Sequence, residues 1–400
     1  MKKFLCSIIV SAAAIPMIFA SQTLTQEQIF DATIKEVDMG GIALQYQNLE
    51  DLNSVINSLF EMFSTAAAMQ EDPMKKMQIE MGLNAIRQIV QQANFDSIKS
   101  YAASIKKVND NTFINKSFIL TDNNPQGGLY DFIGKSNQPF QYLNIVPENA
   151  LLAVASQIDL GTIYNSIYNN NLKNNPMVGQ YIPMLEMQLG MPMADFMKSI
   201  SGEYVAFATT AIADSEVTLQ GLVRIPDNSG ALTKFLQMLL GTQESVVMLP
   251  PNQNNPMIAP VIAFAEKSVI VASNQLALNQ SIQAQDSKKN ITANPIFAES
   301  NKYLSGNGLS QLYFVLDEAQ VQLINSAFIS LGLEMNLKPI YLVSESTFTG
   351  NGYKTVAVSS FNLASPKDIL AFQLALMKIG ASVKKNYLNI NPDDLDALEE

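Results

Sequence analysis

Apolar positions recur along this chain in two rhythms. Runs that are continuous or spaced by two predict strands, and runs spaced by three and four predict helices. Three segments share one order. Gly41–Tyr46 predicts a strand, followed by a helix carrying Val55-Ile56-Asn57-Ser58-Leu59. Ala150–Ala155 leads in the same way to Ile163-Tyr164-Asn165-Ser166-Ile167, and Gln311–Leu316 to Leu323-Ile324-Asn325-Ser326-Ala327. Each segment then continues into a strand pair and a further helix. These are Ser100–Val108, Thr112–Thr121 and Gly128–Ile133 in the first, and Glu203–Ala211, Val217–Ile225 and Ala231–Leu240 in the second. In the third they are Ile340–Phe348, Tyr353–Phe361 and Pro366–Ile379. Asn, Asp, Gly and Pro between them, as in Pro226-Asp227-Asn228-Ser229-Gly230, release the ladder and start helices. Gly350-Asn351-Gly352 reads as a hairpin turn.

The recurring order of strand, helix, strand, strand, helix predicts an α+β fold of mostly antiparallel sheets with helices packed on one face. The first two segments carry an added helix, Pro73–Gln92 and Tyr181–Ile200, where the third has the shorter Ile329–Leu337. The second also adds a hairpin, Val261–Ala265 and Ser268–Ala272, and the helical stretch Gln275–Ile282. The expected organisation is a signal peptide at 1–20, α+β units at 21–145 and 146–285, a linker with a third unit at 286–388, and an acidic tail at 389–400.

The amino terminus changes the picture first. Lys2 and Lys3 precede an uncharged, mostly apolar run from Phe4 to Ala20, with small residues at Ala20 and Ser21. That is the pattern of a cleaved secretory signal, so an exported bacterial protein of the periplasm or the medium is expected. The single cysteine, Cys6, leaves with the signal. Stability must then come from burial rather than disulfides, although an exported compartment permits them. The formal charge of the whole chain is −11, and loss of the two lysines makes it more negative. That sign disfavours nucleic acid and anionic lipid headgroups. No later run is long and apolar enough to span a membrane.

Composition excludes more chemistry than it suggests. The chain has no histidine, so Ser-His-Asp triads, imidazole metal sites and histidine bases are ruled out. Cysteine and histidine metal sites are likewise excluded from the mature chain, and the acidic tail lacks EF-hand spacing. Ser104-Ile105-Lys106-Lys107 satisfies Ser-x-x-Lys, but on a strand its ends face opposite sides. The adjacent pairs Glu50-Asp51 and Asp393-Asp394 read as solvated surface, and no phosphate-binding glycine loop is present. No catalytic residue, metal ligand or cofactor is assigned.

Methionine is the exception, with 19 residues, several of them grouped. Met74, Met77 and Met81 stand at i, i+3 and i+7 on one added helix, and Met184, Met187 and Met191 repeat that spacing on the other. Such spacing marks one helical face. The face can fill a core or offer an adaptable apolar surface to a protein, peptide or lipid, and thioethers also suit Cu(I).

Leu189–Ala211, with Phe196-Met197 and then Gly202-Glu203-Tyr204-Val205-Ala206-Phe207, resembles a segment of an exported bacterial family of domains of unknown function. Ser268–Ile282 is similar to that family's later strand and helix. The resemblance implies export and repeated α+β units and brings no activity with it. The expected function is an exported, non-catalytic binding or structural protein that presents a Met-rich apolar groove built from the six methionines named above. The alternatives are a periplasmic Cu(I)-binding protein and a hydrolase with an unrecognised carboxylate or Ser-Lys site.

Overall fold

A computed structural model of the chain describes residues 25–69, 72–92, 94–125, 127–168, 176–213, 216–251, 259–322, 325 and 338–369. The signal peptide expected at 1–20, Leu323-Ile324 and Ser326-Ala327, the helix expected over Ile329–Leu337 and the acidic tail expected at 389–400 lie outside the described residues.

The fold is α+β. The first segment runs α1 (Gln26–Ile34), β1 (Ala43–Asn48), α2 (Leu52–Ala68), α3 (Pro73–Gln92), β2 (Ile98–Asn109), β3 (Thr112–Thr121) and α4 (Leu129–Ile133). After the two-residue β4 (Gln138–Pro139) come β5 (Leu152–Ile158), α5 (Leu160–Ile167), α6 (Pro176–Leu189) and α7 (Met193–Ser199). The strand pair β6 (Gly202–Ala213) and β7 (Glu216–Pro226) follows, then α8 (Ala231–Leu240), β8 (Val246–Met248), β9 (Val261–Ala265), β10 (Ser268–Ala272) and α9 (Gln275–Ser287). The last stretch holds α10 (Pro295–Ser300), β11 (Asn307–Gly308), β12 (Ser310–Leu316), β13 (Ile340–Phe348) and β14 (Gly352–Ser359). The sheet order among the described residues is β1-β2-β3-β14-β13-β12-β5-β6-β7-β10-β9-β8, with β4 and β11 paired separately. β1 pairs antiparallel with β2, β5 with β6, and β12 with β13.

Contacts divide the described residues into two compact units, one drawn from 1–106, 116–131 and 348–354, the other from 107–115, 132–347 and 355–400. In the first, α1 begins with a reciprocal cap. The Thr25 hydroxyl accepts from the Gln28 amide, and the Gln28 side chain accepts from the Thr25 amide. Its buried face, Ile29 and Ile34, packs on Ala102, Phe118 and Leu120. The inward face of β2 is built from Ser100, Ala102 and Ser104. Small hydroxyl residues can be buried there because each finds a partner. Thr33 and Ser100 hydrogen-bond to one another, and the Ser104 hydroxyl accepts from the Asp38 amide at 2.9 Å.

In the second unit, β12 lies between β5 and β13, and its side chains feed two cores. Tyr313 and Val315 join Val205, Phe207, Leu222, Val261 and Phe297, whereas Phe314 and Leu316 join Leu151 and Val321. The hairpin β9–β10 pairs Val261–Ala265 with Ser268–Ala272, as the sequence predicts. The start of α8 is held by the buried Asp227, whose carboxylate accepts from the Leu232 and Thr233 amides at 3.1 and 2.9 Å. Asp227→Ala should therefore cost about 1–2 kcal/mol, read as a lower denaturant midpoint at unchanged slope.

One expected element is divided. The single helix read over Tyr181–Ile200 is α6 and α7, separated at Gly190, Met191 and Pro192. Gly190 takes a left-handed φ of +66°, which glycine adopts freely, and Pro192 precedes the new helix. The Glu186 carboxylate accepts from the Met193 amide at 2.8 Å and so caps α7 from the preceding helix. Among the described residues no helix is long and apolar enough to cross a membrane.

Candidate functional site

In the first unit, α2 and α3 pack against each other. Phe60 and Ala67 are the buried residues of α2, and the Arg87 guanidinium of α3 lies 5.4 Å above the Phe60 ring. Arg87 also donates to the Ser64 hydroxyl at 3.4 Å. With that face of α2 committed, Leu59, Met62 and Phe63 are left exposed, and Met69 follows at the helix end. Glu61 is the lone charged residue of α2. The predicted stripe of α3 is exposed as well: Met74 by 65%, Met77 by 51% and Met81 by 56%. Asp72 fixes the start of that helix, its carboxylate accepting from the Met74 amide at 2.9 Å.

In the second unit, Ile182 and Leu189 of α6 turn inward to pack with Met193 and Phe196 of α7 and Ala231 of α8. Met184 and Met187 point away from that cluster, Met187 exposed by 80%, and Tyr181 and Leu185 are exposed along its edge. Met191 does not continue this stripe. It sits in the break between the helices, partly buried against the α7 and α8 cluster. Exposed apolar side chains occur singly on every protein, but runs along one helical face are uncommon. Five of the six methionines named from sequence are therefore solvent-facing, on two separate helices in two separate units.

The sites of conventional chemistry are otherwise committed. Ser104 is buried and holds the Asp38 amide, while Lys107 pairs with Asp110 at 2.7 Å, so Ser-x-x-Lys forms no dyad. The Glu50 carboxylate accepts from Asn48 at 3.2 Å and borders a cavity of about 510 Å³ in which Lys99 and Asp122 pair at 3.2 Å. Asp393-Asp394 lies outside the described residues. Among the described residues no group of three or more Asp, Glu, Cys or His side chains is placed to hold a metal.

Two buried carboxylates, which spacing could not pair with partners, organise loops of the second unit. Glu203 of β6 accepts from the Gln141 and Tyr142 amides at 2.8 and 3.0 Å. Arg224, on the adjacent strand, donates to the Glu203 backbone oxygen at 2.8 Å, and its guanidinium lies 3.3 Å from the Tyr142 ring centroid. Burial pushes the Glu203 carboxyl above the usual carboxylate range, opposed by the two amide bonds and by Arg224. Glu345 of β13 accepts from the Ser305 and Gly306 amides at 2.8 and 2.9 Å and from the Ser305 hydroxyl at 2.6 Å. The sequence signal for Glu203 was a charge inside an otherwise apolar strand, in Gly202-Glu203-Tyr204-Val205. Comparison with protein-family models and with curated proteins gives no match.

Proposed function

We propose that this is an exported, non-catalytic binding protein whose methionine-bearing helices receive an apolar segment of a protein partner. The observation that carries the reading is the outward orientation of the stripes on α3 and α6, with Leu59, Met62 and Phe63 on the neighbouring α2. Thioether side chains are unbranched and adaptable, so such a face can repack around different apolar surfaces. A protein segment is favoured over a bilayer because the chain's formal charge of −11 opposes approach to anionic headgroups.

The test is site-specific photo-crosslinking in the native envelope, with the photoreactive residue at Met77, at Met184, or at the hairpin residue Asp110 as a polar control. Met77 and Met184 should trap one discrete partner that Asp110 does not. A purified Met74→Gln, Met77→Gln, Met81→Gln variant should bind that partner at least about tenfold more weakly. Its stability should stay within about 0.5 kcal/mol of the parent, because the side chains are exposed. Equal crosslinking from all three positions, or undiminished binding by the triple variant, defeats the reading.

A further inference from the structure

Among the described residues the sheet order ends at β1 and at β8, and the two edge strands differ in chemistry. β8 is only three residues long, with Glu244 just before it and Pro250 and Pro251 just after. Short strands, charges and proline are the usual devices that keep a free edge from pairing. β1 has none of them. It runs for six residues, Ala-Leu-Gln-Tyr-Gln-Asn, and no charge occurs over positions 39–49 of a chain whose net charge is −11.

The ladder to β2 decides which backbone groups of β1 face outward. Ala43 stands opposite Ile105 and Asn48 opposite Ser100, and just past the strand the Leu49 amide donates to the Lys99 oxygen at 2.8 Å. In an antiparallel pair, residues that exchange hydrogen bonds alternate with residues that do not. Positions 43, 45, 47 and 49 therefore turn their amides and carbonyls toward β2, and Leu44, Tyr46 and Asn48 turn theirs to the open side. The side chains beside that edge are apolar. Leu44 is 46% exposed, and Phe30 of α1, 39% exposed, meets the Tyr46 ring edge-to-face with centroids 4.8 Å apart.

A row of outward backbone groups with an apolar flank fits another extended strand. A charged segment would gain no counter-charge there, whereas an identical strand matches it at every position. Set antiparallel about a two-fold axis at Tyr46, Leu44 falls opposite Asn48 of the second copy, and Gln45 opposite Gln47. All three outward-facing residues then sit in pairs that exchange both hydrogen bonds. The glutamine amides can donate to and accept from one another, and Tyr46 meets its own copy beside the two Phe30 rings. A two-fold axis sets any charge near its own like, so the neutral stretch is where two acidic chains can meet. We propose that the protein forms a two-fold dimer by pairing β1 with β1 of a second copy. With both β1 edges consumed and β8 guarded, the assembly closes at two chains.

The test is sedimentation velocity of the purified mature protein over about 1–100 µM, where the parent should pass from monomer to dimer with a dissociation constant of about 10 µM or tighter. Leu44→Lys sets a charge on the edge, and Leu44→Pro removes an amide that serves no bond to β2. Each should weaken association at least about tenfold. Gln45→Pro removes an amide that does bond to β2, so it should lower the melting temperature more than Leu44→Pro does. Val246→Lys, on the β8 edge, should leave association unchanged. A parent that stays monomeric at about 100 µM overturns the proposal. So does undiminished association by both Leu44 variants, or its loss in Val246→Lys. Should Leu44→Pro fail to fold, Leu44→Lys decides alone. The methionine faces are probed by crosslinking, so either reading can fail alone.

Discussion

Glu203→Ala should lower the stability of the second unit by about 3–5 kcal/mol, the loss expected when one member of a buried charged group is removed. The mutation strips the Gln141 and Tyr142 amides of their acceptor and leaves the buried Arg224 without the nearby negative charge. Arg224 keeps its bond to the backbone oxygen of residue 203, which any side chain leaves in place, so the effect is specific to the carboxylate. With about 2–4 °C per kcal/mol for a unit of this size, the melt followed by circular dichroism should fall by roughly 6–20 °C. A Glu203→Leu, Arg224→Met double variant removes both charges and should recover a large part of the loss. A double variant no better than the single one would show that the amide bonds, rather than the charges, carry the stability.

The same site has a pH signature whose sign follows from its raised pKa. In the unfolded chain the carboxyl releases its proton near the ordinary carboxylate value, whereas in the folded protein burial holds the proton to higher pH. The contribution of this group is therefore fully present below the unfolded pKa and is lost as pH rises through the folded one. The stability difference between the parent and Glu203→Gln should shrink across that window and then level off. A difference that grows with pH would mean that the amides and Arg224 outweigh burial.

How far such sites can be read from sequence depends on which contacts are local. The β9–β10 hairpin and α8 were legible because their apolar runs are short, regular and bounded by turn residues. The strand β2 was harder. Its buried face uses Ser100, Ala102 and Ser104, which carry little hydropathy, and their burial depends on partners such as Thr33 and Asp38 far along the chain. The Met74, Met77 and Met81 spacing fixed a face but not its direction. That direction follows from α2, which meets α3 through Phe60 and Arg87 and leaves the stripe outside. Met191 was misaligned with Met184 and Met187 because Gly190 and Pro192 interrupt the helix, two residues whose backbone preferences were visible all along.

The hairpin turn Gly350-Asn351-Gly352 separates two reasons for glycine, and the second large effect lies there. Gly350 has φ +90° and open space where a Cβ would stand, so its requirement is conformational. Gly350→Ala should cost about 1–2 kcal/mol, and Gly350→Asn less, because asparagine tolerates the left-handed region. Gly352 is needed for space. A Cβ there would stand 2.4 Å from the Ile119 carbonyl oxygen and 2.4 Å from the tip of the Phe118 ring. Phe118 is fully buried against Ile29, Ala102 and Leu120, so the ring cannot swing away into solvent. The neighbouring backbone is equally committed, with Thr121 donating to the Asn351 oxygen at 2.8 Å and Thr349 to the Gly352 oxygen at 2.9 Å. Gly352→Ala should therefore cost about 3 kcal/mol, at the upper end for overpacking, and Gly352→Asn at least as much. Phe118→Leu in the same chain should relieve only part of that cost, because shortening the ring leaves the Ile119 oxygen in place. Denaturant midpoints for the four single variants and this double variant decide the matter. Equal tolerance of asparagine at 350 and 352 would mean that the turn is governed by backbone angle alone and that β14 can move away from β3.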